Sequence, residues 1–210
     1  MDRSVKNSYD VTMARPRQFD EDAVLEAVRN QFWDAGYTAT SLQDLMRVTG
    51  LGKGSLYAAF GDKHGLYLTV LRQYARAGEL AVRDALSSAP RAVDALRAFL
   101  TAPVGDPDGA AAARGCMLAN GTCELATADP DVREEARRTY ESITAAVADC
   151  VRRAAAEGDL VVEGSALETA RALLAAQQGV VYMGRSGMDA RTLEATARSL
   201  AARLLPEPAR

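Results

Sequence analysis

Residues 40–60 read TSLQDLMRVTGLGKGSLYAAF, and this stretch decides the fold. Leu42, Leu45, Met46 and Thr49 fall on one side of a short helix. Its start is marked twice: Thr40 with Gln43 fits a capping box, and so, more loosely, does Ser41 with Asp44. Gly50 follows, where a left-handed backbone costs little. A second short helix is predicted from Lys53 to Phe60, with Leu56 and Phe60 four apart on one face. Helix, glycine bend, short helix is the helix-turn-helix arrangement. Leu45, Leu51 and Leu56 stand where such a pair must pack. The outer face then carries Lys53, Gly54, Ser55, Tyr57 and Ala58. A lysine neutralises a phosphate, and serine and tyrosine hydroxyls bond to phosphate oxygens. Gly54 and Ala58 leave room for a groove wall. Periodicity alone fits a plain three-helix core equally well.

Upstream, Asp20 is a good N-cap, with Glu21 and Asp22 at the positive end of the helix dipole and Phe19 placed to staple onto Val24. Val24, Ala27, Val28, Phe32 and Ala35 keep helical spacing until Gly36. Downstream, Gly61-Asp62 breaks the chain and Asp62 caps a long helix from Lys63 to about Ser87. Further helices are predicted from Pro90 to Thr101, Gly115 to Ala128, Pro130 to Glu157, Ala166 to Gly184 and Asp189 to Leu205, with a loop over Pro103–Gly109. The expectation is an all-α chain of about nine helices. Residues 14–66 form a helix-turn-helix head, residues 67–210 a helical body, and residues 1–13 an extension that resembles a tag, an alternative start or an arm. The long fourth helix bridges the two parts.

The chain has 210 residues, 48% hydrophobic and 25% charged, which excludes a disordered tail, a collagen-like fibre and a disulfide-rich mini-protein. A net charge of −3 argues against a coat on nucleic acid but allows a local basic face. Between Gly36 and Gly65, Arg47, Lys53 and Lys63 stand against Asp44 and Asp62, and Arg15 and Arg17 add two positive charges nearby. Three cysteines with no metal-ligand spacing suit a reducing cytosol. No signal peptide is evident, and Ala170–Met183, interrupted by Arg171, Gln177 and Gln178, is too short and polar to span a bilayer. A cytoplasmic location is expected.

Phosphate-loop chemistry fails on detail: Gly54, not Ser or Thr, follows Lys53, and no strand precedes the loop. His64 is the only histidine and no GxSxG motif exists, so no catalytic residue, metal or cofactor is expected.

Residues 32–42, FWDAGYTATSL, and 50–63, GLGKGSLYAAFGDK, resemble the N-terminal signature of the TetR/AcrR family of transcriptional regulators. The likeness covers about residues 19–70. It implies that Thr40 and Ser41 meet a phosphate at the start of the second helix. Lys53, Gly54 and Ser55 would enter the major groove, and Tyr57 and Lys63 would contact the backbone. Many relatives carry a bulky or His residue where Ala58 and Ala59 stand, so base readout would lean on Lys53, Ser55, Arg15 and Arg17. The implied function is a homodimeric repressor released from a palindromic DNA operator by a small-molecule or thiol-reactive effector. The competing class is a small helical carrier or enzyme with a structural head.

Three expectations concern the body. Cys116 and Cys123, seven apart, share a helix face at about 10 Å, too far for a direct disulfide. Cys116 is either core packing or a sensor thiol made acidic by a helix N-terminus and Arg114. Phe99, Cys116, Met117, Asn120, Tyr140, Gln177 and Tyr182 are candidate effector residues or ordinary core. Leu193, Ala197, Leu200 and Leu204 form a seam, and Leu167, Ala170, Leu174 and Val181 a matching stripe, for pairing with a second copy or burial in the chain's own core.

Overall fold

The computed structural model describes residues 19–104 and 110–206. Arg15, Arg17, the 1–13 extension and residues 105–109 of the expected loop lie outside them. Ten α-helices and no strand occur among the described residues. They are α1 (Glu21–Ala35), α2 (Leu42–Thr49), α3 (Lys53–Phe60), α4 (Lys63–Ser88), α5 (Ala92–Thr101), α6 (Ala110–Arg114), α7 (Met117–Leu125), α8 (Pro130–Ala156), α9 (Ala166–Arg185) and α10 (Ala190–Leu204). A single 3₁₀ turn, Ala102–Val104, follows α5.

The caps explain most of these limits. Asp20 accepts from the amides of Asp22 and Ala23 and so opens α1, which Gly36 closes at φ +83°. Asp62 caps α4 through the Gly65 amide, and Asp129 caps α8 through those of Asp131 and Val132. Of the two predicted capping boxes, the Ser41–Asp44 one forms: Ser41 Oγ accepts from the Asp44 amide at 3.1 Å, and Asp44 Oδ2 accepts from the Ser41 amide at 3.0 Å. Thr40 is not its rival, because its hydroxyl donates to the Gly36 carbonyl at 2.7 Å.

Two boundaries differ from the sequence reading. α5 begins two residues after Pro90, with Arg91 at its N-cap. The helix expected over Gly115–Ala128 is shorter, α7 spanning Met117–Leu125, and a short helix that the sequence did not predict, α6, precedes it, the two separated by Gly115 at φ +66°. Cys116 is therefore the N-cap residue of α7 rather than a position within a helix.

Two cores share the long helices. The first joins Val28 and Phe32 of α1, Leu45, Leu56, and Leu66 and Val70 of α4 to Met117 and Leu118 of α7 and Val132 of α8. The second joins Leu86 of α4, Leu96 and Phe99 of α5, Val147 and Val151 of α8, and Leu173 and Leu174 of α9. α4 and α8 contribute to both, so they form the spine of the molecule. Fully burying one such Leu, Val or Phe contributes about 1.5–3 kcal/mol. Rings tighten the first core: Phe32 and Tyr67 meet edge to face at 5.1 Å, and Tyr37 and Tyr67 lie 5.0 Å apart.

The expected association seam faces largely inward. Leu193 and Ala197 are buried with Val180, and half-buried Leu200 packs against them. Ala170 and Leu174 are buried in the second core. α10 lies on α5 and α9, so its apolar stripe is consumed within the chain. Leu167 and Leu204 remain exposed and Val181 is half-buried.

Two predictions follow from this packing. Asp44 has its carboxyl lowered from 3.8 to about 2, first by the Ser41 hydroxyl and amide and then by Arg47. A depressed carboxyl stabilises the fold above its unfolded value, and this contribution is lost as pH falls through about 2. An NMR titration is expected to place its midpoint there, and Ser41→Ala to move it back towards 3.8. Gly121 of α7 lies so close to α4 that a Cβ would meet Tyr67 Oη at 2.1 Å. Tyr67 is buried, so Gly121→Ala is expected to cost more than about 1 kcal/mol net in urea unfolding, overpacking outweighing its helix-propensity gain.

Candidate nucleic-acid interface

The α2–α3 pair is built from its bend. Gly50 takes φ +67°, and Leu45 and Leu56, each 1% exposed, close the angle between the helices. With Leu56 inward, Lys53, Gly54, Ser55 and Ala58 are exposed and Tyr57 is half-buried. Lys53 Nζ lies 5.5 Å from the centre of the Tyr57 ring, so the cation and the phenol occupy one patch. α3 has no side-chain cap at Gly52, which leaves its first amides for solvent or an anion. A Cβ at Gly52 or Gly54 would meet nothing within 4 Å. Glycine inside a helix costs about 1 kcal/mol relative to alanine. Among the described residues nothing accounts for that cost at Gly54, whose bare backbone is open to close approach from outside.

The neighbouring candidates divide. Ser41 is exposed at the start of α2. Thr40 is 1% exposed with its hydroxyl committed to Gly36, so its side chain is removed from the expected phosphate contacts. Lys63 lies with Nζ 4.3 Å from the centre of the Tyr37 ring. Burial lowers its pKa, against the attraction of Glu124.

The body holds the head through polar contacts that sequence patterns did not reveal. Trp33 Nε1 donates to the carbonyls of Arg114 and Gly115, both at 3.2 Å. The Arg114 guanidinium stacks 4.3 Å from the Trp33 ring and donates to Asp34 at 2.7 Å and Asn30 at 3.2 Å. Arg114 thus ties the bend between α6 and α7 to α1. His64 Nε2 and Asp129 Oδ2 are 2.7 Å apart, joining the start of α4 to the cap of α8. Burial raises the Asp129 carboxyl, but the bonds from His64 and the α8 amides outweigh it and the group titrates low. Asp131 brings a third ligand atom, all within 4.8 Å of one another. Asp129 already has both oxygens engaged, so the cluster is a helix cap with its partner.

The predicted effector residues do not converge. Phe99 belongs to the second core and Met117 to the first. Asn120 donates to the Arg114 carbonyl at 3.0 Å, and Tyr182 is 69% exposed. Gln177 accepts from Gln178 at 2.8 Å. Cys116 is half-buried against the first core and is a free thiol. Tyr140 alone lines the cleft between α7, α8 and α9, a space of about 390 Å³. Its other walls are Ala119, Thr122, Cys123, Thr144, Arg171, Leu174, Ala175 and Gln178. Sequence periodicity placed Leu174 in an association stripe because a helical stripe does not say which neighbour it meets. The Thr and Ala positions carried no signal at all.

The comparisons agree with this geometry. Residues 24–70 match the family model described as bacterial regulatory proteins, tetR family, and residues 92–200 match the tetracyclin repressor-like C-terminal domain. The chain is 29% identical over 151 residues to YezE of Bacillus subtilis, an HTH-type transcriptional regulator, covering 70% of this chain and 76% of that protein. It is 48% identical over 60 residues to the HTH-type transcriptional repressor ComR of Escherichia coli, covering 29% of each. Among solved structures, a cysteine mutant of the TetR family regulator CifR, complexed with a 26-bp double-strand operator DNA, superposes with a TM-score of 0.78 at 27% identity. That match covers 92% of this chain and 100% of CifR. A helix-turn-helix head with a solvent-facing second helix, on an all-helical body matched over more than half the chain, places this protein in the TetR family of bacterial transcriptional regulators, and not among enzymes.

Proposed function

We propose that the protein is a cytoplasmic, homodimeric repressor that leaves a palindromic operator when a small molecule occupies its body. The observation that carries this reading is the exposed Lys53-Gly54-Ser55 face, held outward by buried Leu56. Residues 14–66 act as the reading head and residues 67–210 as the effector and pairing unit. The resemblance in fold to the operator complex of CifR supports the same assignment. Ser41, Lys53, Gly54, Ser55, Tyr57 and Lys63 make up the described part of the reading surface, and Arg15 and Arg17 extend it.

Two copies would meet through what α9 and α10 leave uncovered. Leu167, Arg171, Ala175, Gly179 and Tyr182 form an exposed row along α9, and Leu204 is exposed on α10. Pairing there sets two heads on successive major grooves about 34–36 Å apart. The cleft between α7, α8 and α9 is the effector site of this reading, with Tyr140, Thr122 and Gln178 as polar groups among aliphatic walls. An effector that takes operator occupancy from mostly bound to mostly free must distinguish the two conformers by about 5.5 kcal/mol.

The test is fluorescence anisotropy on DNA from upstream of the protein's own gene. Lys53→Ala is expected to weaken binding and to lower the slope of log affinity against log salt by about one, the signature of one lost phosphate contact. Gly54→Ala is expected to stabilise the fold by up to about 1 kcal/mol and yet weaken operator binding at least tenfold. Unchanged affinity in both variants would refute the assigned face.

A further inference from the structure

We propose that Glu124 is the positioning residue for DNA reading: it clamps two consecutive backbone amides of the loop that feeds α2, and so couples the α7–α8–α9 cleft to the head. This rests on the operator-binding function proposed above.

Glu124 lies in the last turn of α7. Its Oε2 accepts from the Tyr37 amide at 3.0 Å and its Oε1 from the Thr38 amide at 2.6 Å. Both oxygens are thus used in charge-assisted bonds to the backbone of one short loop. Gly36 makes the approach possible, because a Cβ there would come within 2.9 Å of Oε2. Three residues beyond Thr38 the chain reaches Ser41, the cap of α2. The clamp therefore acts on backbone immediately ahead of the helix-turn-helix.

The stability of α7 does not account for this residue. A carboxylate in the last turn of a helix faces the negative end of the helix dipole and is locally unfavourable. Burial also works against the charge, yet the carboxyl sits below its ordinary 4.5, because the bonds from Thr38 and Tyr37 and the attraction of Lys63 outweigh that cost. A local rule is broken for a contact between two parts of the molecule, as happens where function requires it.

The same helix walls the cleft. Ala119, Thr122 and Cys123 line it, and Cys123 is the residue next to Glu124. Between Ala119 and Thr122, Gly121 seats α7 on Tyr67 of α4. An occupant that displaces α7 moves the Glu124 side chain, and because both carboxylate oxygens are bonded to adjacent loop amides, the loop is drawn with it. Two heads on one duplex gain affinity from being held at a fixed separation and orientation. Loosening the clamp should therefore weaken the full palindrome and spare a single half-site.

The test compares the wild type with Glu124→Gln, which keeps the shape but presents a donor to one of the two amides. Anisotropy is read at one salt concentration on the full operator and on an isolated half-site, and amide hydrogen exchange is followed at Tyr37 and Thr38. The expected result is at least a fivefold loss on the full site, less than a twofold change on the half-site, and at least tenfold faster exchange at both amides. Equal affinity of the two proteins for the full site overturns the proposal. Equal losses on both sites also overturn it, because Glu124 then acts locally in DNA contact. Failure of the wild type to bind any full site sinks the operator reading instead, and exchange alone then decides the clamp: faster supports it, unchanged refutes it. If Glu124→Gln does not fold, Glu124→Asp, with its carboxylate one methylene shorter, takes its place under the same criteria.

Discussion

The left-handed bend at Gly50, closed by the burial of Leu45 and Leu56, is the constraint on which the rest of the molecule depends. With those two leucines inward, a helix of 3.6 residues per turn has no choice but to present Lys53, Gly54 and Ser55 to solvent. The face is small and only weakly basic. What distinguishes it is shape: two glycines that leave space above the backbone and a helix start without a side-chain cap. Conformational cost inside the chain is accepted in exchange for access from outside it.

A face of this kind is useful only if its orientation is controlled, and the body supplies that control through polar contacts at the junction. Trp33 and Arg114 join α1 to the bend before α7, His64 joins Asp129 across α4 and α8, and Glu124 holds the loop ahead of α2. These are directional bonds between parts that also share an apolar core. α7 sits between the cleft and the head, so the short helix, rather than the long α4 alone, is placed to carry a signal.

Sequence reasoning read the head well because its signals are local. Asp20 and Asp62 cap the helices they precede, and Gly36 and Gly50 end those they follow. Each involves residues within a few positions of one another. It failed where the deciding partner is distant in the chain. One local choice also went the other way: Thr40 fits a capping box better than Ser41 in the sequence, yet Ser41 serves, because the Thr40 hydroxyl is turned in against Gly36 only four residues back. Leu193 and Ala197 share a face that suits a partner copy or the chain's own α5 and α9 equally, and the fold spends them internally. Arg114 stands two residues before Cys116 in the sequence, and only the fold sets its guanidinium over the indole of Trp33, 81 residues away.

By itself, the order of residues settled the all-helical class, the limits of the helices outside the α5–α7 region and the outward position of the Lys53-Gly54-Ser55 face, since caps, glycine bends and 3.6-residue periodicity act over one or two turns. Tertiary structure alone decided which apolar stripes are consumed within the chain, which side chains wall the cleft, and that the Glu124 carboxylate reaches the amides of Tyr37 and Thr38. Those outcomes depend on the angles at which α7, α8 and α9 cross. Crossing angles are set by the packing of many distant side chains at once, which no short window of sequence contains.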